Sequence, residues 1–208
     1  MARKKKRVKK HSVLGVMEGI KREKAFFECL QALYENKEQI NVTIDPKHGG
    51  TPDSLLDILL KKLHSGYDRL FLWIDEDTDL RQEGREKLFK SWSLTEPQKS
   101  SFLNCRVSEI QCQYNQKMRN PILIVSQPIS VESFILRVLG KKLCHTDMSD
   151  DKELLEQQKK ELKSSLEGVL GITQEDEYYK NNINKESLEK RRIEISELDL
   201  LIKMIEGA

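Results

Sequence analysis

The residues of this sequence best placed to do chemistry are acids that follow apolar, strand-like runs. Val13-Leu14-Gly15-Val16-Met17 leads into Glu18-Gly19, and Leu70-Phe71-Leu72-Trp73-Ile74 leads into Asp75-Glu76-Asp77. Open α/β sheets bind ligands beyond the carboxyl ends of their parallel strands, so Glu18, Asp75 and Asp77 are expected to meet there and share a cation. Magnesium suits such a set. It takes one or two carboxylates and keeps its other positions for water and phosphate. In phosphodiester hydrolysis a centre of this kind binds the non-bridging oxygens, lowers the pKa of an attacking water and stabilises the leaving oxygen.

The elements that must position these acids read as a β-α-β-α succession. A strand over Ser12 to Met17 turns at Gly19 into a helix over Lys21 to Glu35, on which Ala25, Phe26, Cys29, Leu30 and Leu33 repeat at helical spacing. A β-branched strand follows over Ile40 to Ile44 and stops at Pro46. Thr51 and Pro52 then supply an N-cap and a first helical residue for a helix with Leu55, Leu56, Leu59, Leu60 and Leu63 on one face. The continuous apolar run Leu70 to Ile74 reads as a central strand covered on both faces. A polar helix is expected over 81–91, a strand within Cys105 to Ile110, another over Ile122 to Val125, and a helix over Val131 to Leu139. Beyond Asp147 the composition turns to charged helix. Leu155, Leu162, Leu166 and Leu170 share one face, and Leu188, Ile195, Leu198, Ile202 and Ile205 stand close to a coiled-coil seam. These heptads are too few for an independent coil, so docking on the sheet of the same chain is expected ahead of dimerisation.

Composition narrows the class. With 208 residues and 38% hydrophobic content there is enough material for one well-buried domain with an appendage, and the 34% charged content suits long solvated helices. The formal net charge of +2 conceals a split: Arg3, Lys4, Lys5, Lys6, Arg7, Lys9 and Lys10 are all basic, and without them the balance is −5. Such an arm attracts polyphosphate backbones without reading sequence, although a solubilising terminus has the same composition. No run is long enough to span a membrane and no signal-peptide pattern is present, so a cytoplasmic protein without a membrane partner is expected. Cys29, Cys105, Cys112 and Cys144 form no CxxC pair, and no histidine stands at a recognised metal spacing, so neither zinc nor a disulfide framework is indicated.

Glu18-Gly19-Ile20-Lys21-Arg22-Glu23 followed by Asp75-Glu76-Asp77 resembles the EGxxxE and DxD pair of a Toprim domain. Ile124-Val125-Ser126-Gln127-Pro128-Ile129-Ser130-Val131-Glu132-Ser133-Phe134 is similar to the Ser-x-Pro and Glu-x-aromatic segment of RloB-like proteins, one residue longer and with Gln127 in place of the usual Asn. Together with Gly49-Gly50-Thr51-Pro52 before a helix, the resemblance to these small members of the OLD/Toprim nuclease superfamily covers residues 12 to 145. It implies an α/β fold with a mostly parallel sheet flanked by helices on both faces and a C-terminal helical extension. The corresponding division is a basic arm over 1–11, a Toprim-like domain over 12–145 and the extension over 146–208.

The resemblance also implies a Mg2+- or Mn2+-dependent endonuclease acting on DNA or RNA, with one or two ions. Its setting would be bacterial anti-phage defence beside an ATPase or another defence partner. Glu18 matches the Toprim glutamate, a metal ligand or general base. Asp75 and Asp77 match the metal-binding pair, Glu23 the second glutamate, and Glu132 a later acid that helps hold a second ion. Lys21 and Arg22, beside Glu18, are expected to meet substrate phosphate together with the arm residues. A small nuclease that was always active would harm its host, so an activating partner, trigger or homo-oligomer is expected. The opposing class is a non-catalytic Toprim module that binds nucleic acid through its basic arm or is held inactive by a partner through the charged C-terminal helices. In that case Glu18 serves the helix dipole, Glu23 lies on a solvated face, and Asp75 and Asp77 are turn residues.

Overall fold

Seven strands and six helices of eight or more residues lie in the part of the chain that the computed structural model describes, which is residues 11–17, 19, 21–35, 40–46, 55, 58, 61–62, 66–76, 107–109, 112–114, 117–119, 122–126 and 128–206. The strands are β1 (His11–Met17), β2 (Ile40–Pro46), β3 (Arg69–Asp75), β4 (Val107–Glu109), β5 (Cys112–Tyr114), β6 (Lys117–Arg119) and β7 (Ile122–Ser126). The helices are α1 (Arg22–Tyr34), α2 (Val131–Val138), α3 (Lys152–Leu170), α4 (Glu175–Asn182), α5 (Lys185–Arg192) and α6 (Ser196–Glu206). Residues 55, 58, 61 and 62 are also helical, within the segment expected to form a helix. The expected helix over 81–91 and the Gly49-Gly50-Thr51-Pro52 motif lie outside the described residues.

The fold is α/β. The main sheet has the order β2-β1-β3-β7-β4, in which β2, β1, β3 and β7 run parallel and β4 is added antiparallel at the edge. A separate antiparallel pair joins β5 to β6. Parallel strands are normally buried on both faces, and the runs that form β1 and β3 carry no polar alternation: Val13, Leu14, Val16 and Met17, and Leu70 through Ile74, are all buried. Gly15 is opposite Phe71 in the register, and a β-carbon at 15 would overlap the Phe71 ring, so the glycine makes room for the aromatic.

One face of the sheet contributes Val13, Met17, Phe71, Trp73 and Ile124 to a core that continues through Phe26, Phe134 and Tyr179 to Leu155, Leu198 and Ile205. The C-terminal helices therefore dock on the sheet of their own chain. Phe26 is the aromatic centre of this core, with edge-on contacts to Trp73, Phe134 and Tyr179 at ring distances of 6.4, 5.5 and 5.6 Å. On α3, Leu155, Leu162, Leu166 and Leu170 all turn inward as their spacing predicts. The expected seam from Leu188 to Ile205 is buried too, but it is not one helix: residues 193–195 divide it between α5 and α6, and α4 is a further short helix before it. Gly171 takes a left-handed turn at φ 65° after α3, the Asn184 side chain caps α5 by accepting from Ser187 N at 2.9 Å, and residues 193–195 separate α5 from α6. No helix among the described residues is long and apolar enough to cross a membrane.

Candidate metal and phosphate site

Asp75 ends β3, and its register partner Ser126 ends the neighbouring parallel strand β7, so both stand at the carboxyl edge of the sheet. Trp73, one pleat before Asp75 on the same face, donates its indole N–H to the Ser126 hydroxyl at 2.8 Å in the buried interior. Beyond Ser126 the chain passes through Pro128, Ile129 and Ser130 into α2. This connection is tightly determined. Asp75 Oδ1 accepts from Val131 N at 2.7 Å, capping the first turn of α2, and Glu76 Oε2 accepts from Ile129 N at 3.4 Å. The Ser133 hydroxyl reaches back to Pro128 O and, at 2.6 Å, to Ser130 O. The loop holds Ile129 at φ 73°, a left-handed conformation that a β-branched residue adopts only at a cost of about 1–3 kcal/mol. Strain of this kind persists where neighbouring contacts dictate it, and it gathers at functional sites. The Ser130 hydroxyl, 3% exposed, has no hydrogen-bond partner among the described residues.

Glu23 reaches the same edge from α1. It lies in the helix's first turn, is 9% exposed, and its carboxyl group packs on Gly19 so closely that a β-carbon at 19 would overlap it. The glycine therefore leaves room for the Glu23 carboxyl group, and the acid sits at the carboxyl end of β1 rather than on a solvated helical face. Gly19 stands two residues past Met17 and Asp75 two residues past Trp73, which is Met17's register partner.

Glu132 lies in the first turn of α2, where a carboxylate is favoured by the helix dipole, and forms an ion pair with Arg22. Arg22 also binds Glu167 at 2.9 Å and Glu175 at 3.0 Å, so one guanidinium joins α1 to α2 and α3 and to the start of α4. Burial opposes the charge of Arg22, but Glu132 and Glu175 outweigh it and hold the pKa above that of ordinary arginine. Nearby Tyr179 is fully buried, and its hydroxyl has no hydrogen-bond partner among the described residues. Its pKa is pushed up first by burial and then by Glu175, with smaller contributions from Glu23 and Glu132, while Arg22 pulls it down. A single phenol thus senses Arg22, Glu23, Glu132 and Glu175 together.

Of the residues expected from sequence to form the site, the structure brings Glu23, Asp75, Glu132 and Arg22 to this edge. Lys21 is the exposed residue preceding α1. Glu18, Asp77 and the arm residues Lys4, Lys5, Lys6, Arg7, Lys9 and Lys10 lie outside the described residues. Sequence reading missed Glu76, Ser130, Ser133, Glu167, Glu175 and Tyr179. Glu76 could have been noticed inside the acidic run, but the partners from the C-terminal helices carry no local signal. As a donor set, Asp75 and Glu23 supply hard carboxylate oxygens that fit a magnesium-type cation. Comparison with protein-family models, curated proteins and solved structures finds no match.

Proposed function

We propose that this chain is a metal-dependent nuclease of the Toprim type that hydrolyses phosphodiester bonds of DNA or RNA. The reading extends to anti-phage defence, with activity released by a partner or trigger. The observation that carries it is the placing of Glu23, Asp75 and Glu132 at the carboxyl edge of a parallel sheet, beside a loop in which Ile129 is held at φ 73°. Asp75 and Glu23, with Glu18 and Asp77 as the remaining members of the motif, would hold Mg2+ or Mn2+. The bound ion supplies Lewis acidity toward a phosphodiester.

The chain's own residues prepare that place. Asp75 is fixed by its bond to Val131 N, Glu23 is fixed by its seat on Gly19, and Arg22 holds Glu132 while neutralising part of the local negative charge. A specific observation favours the second reading, a non-catalytic module: Asp75 caps α2 and Glu132 is paired, so both acids have structural employment.

Asp75→Asn separates the two readings. The asparagine keeps an oxygen for Val131 N but loses the charge, so the fold should persist. Cleavage of total RNA, plasmid and single-stranded DNA in Mg2+ or Mn2+ should fall by about a hundredfold or more, together with metal binding. Cleavage retained by this variant defeats the nuclease assignment. Nucleic-acid binding that survives EDTA without turnover, even with partner and phage trigger present, selects the module.

A further inference from the structure

After α2 the chain turns back along α3, bringing Cys144 and His145 against the middle of that helix. There the Cys144 Sγ, a ring nitrogen of His145 and a carboxylate oxygen of Glu161 all lie within 4.8 Å of one another. From this geometry we propose that Cys144, His145 and Glu161 form a zinc site, separate from the acidic edge of the sheet, with water in the fourth position.

The donor chemistry selects the metal. A thiolate, an imidazole and a carboxylate together are a zinc set, and a soft sulfur donor is wrong for magnesium. Metal–ligand bonds of about 2.0–2.3 Å place tetrahedral neighbours about 3.3–3.8 Å apart, so the sulfur needs to close by only about 1 Å and the imidazole and carboxylate to part by less than that. His145 Nε2 already meets Glu161 Oε2 at 2.7 Å, a hydrogen bond that the ion would replace with two bonds to itself. All three side chains are at least partly exposed, so the ion has an entry path and the side chains have freedom to adjust.

The surroundings support these three ligands. Gln157 Nε2 donates to Glu161 Oε1 at 2.8 Å, orienting the carboxylate through the oxygen that does not meet His145. The Ser165 hydroxyl donates to Glu161 O at 2.8 Å and stands 3.8 Å from the Cys144 sulfur. The loop is anchored just beyond the ligands: Gln158, 8% exposed, accepts from Ser149 N at 3.0 Å and donates to Asp147 O at 3.1 Å. An ion here would tie the loop after α2 to α3, joining the helix capped by Asp75 to the C-terminal helices.

The test uses the full chain under reducing conditions, with Co2+ as the spectroscopic stand-in for Zn2+. The expected result is a thiolate-to-cobalt charge-transfer band in the near ultraviolet, displaced by one equivalent of Zn2+, with zinc raising the melting temperature by linkage. Cys144→Ser should abolish the band and the thermal shift while leaving the metal-free melt unchanged. His145→Gln and Glu161→Gln should each weaken binding by at least about tenfold. No band in the unaltered chain, or an undiminished band in Cys144→Ser, overturns the proposal. Asp75→Asn should bind cobalt normally, which makes this outcome independent of the nuclease reading.

Discussion

Arg22 and Arg192 are each 16% exposed and each face three carboxylates, but the partners of one are gathered from far along the chain and those of the other from close by. Glu132, Glu167 and Glu175 stand 110, 145 and 153 positions from Arg22. Glu189, Asp199 and Glu206 stand 3, 7 and 14 positions from Arg192. Similar local electrostatics therefore serve two scales. Arg22 exists as a hub only once the sheet and the C-terminal helices have come together, and its position beside Glu23 links that assembly to the acidic edge. Arg192 closes the corner between α5 and α6, where the chain would bring its partners near in any case. In both, burial works against the guanidinium charge and neighbouring carboxylates prevail.

The comparison can be broken at its stronger end first. Arg22→Met leaves Glu132, at 15% exposure, and Glu175, at 25%, without their cation, and should cost about 2 kcal/mol of stability by urea denaturation. Arg192→Met should cost about 1 kcal/mol in the same measurement, since Glu189, Asp199 and Glu206 are 44, 27 and 34% exposed and water can take over. Equal losses would show that span along the chain does not matter here.

The smallest effect is the pH dependence of the Arg192 corner. Burial alone would raise the pKa of Asp199, but hydrogen bonds and charge from Lys203 and Arg192 hold it below the ordinary value. A carboxyl depressed in the folded state stabilises above its unfolded pKa of about 3.9, and loses that contribution as pH falls through the lower folded value. The stability gap between the unaltered chain and Arg192→Met should therefore narrow as acid is added below about pH 4. A gap that stays constant through that range removes Asp199 from the account.

These same contrasts explain what could be read in advance. Strands β1, β3 and β7 and helices α1 and α2 were legible because burial on both faces of a strand, or on one face of a helix, writes itself into runs and spacings of apolar residues. The inward face of α3 was legible for the same reason. The division of the C-terminal segment into α4, α5 and α6 was not, because Leu188 to Ile205 keep an unbroken apolar rhythm across the break at 193–195, and the earlier breaks depend on Gly171 and on the cap formed by Asn184. Within the candidate site, Asp75 announced itself by following an apolar run. The pairing of Glu132 with Arg22, the capping role of Asp75 and the return of Glu23 to Gly19 arise only when separate elements meet. The closeness of Glu161 to the adjacent Cys144 and His145 belongs to this second kind.

The seat of Glu23 on Gly19 offers an unusual handle on the acidic edge. Replacing Glu23 itself changes charge, shape and location at once, whereas a single methyl group at position 19 would displace the carboxyl group without removing any ionisable residue. Position 19 thus separates where an acid sits from the fact that it is an acid, two properties that substituting the acid directly would confound.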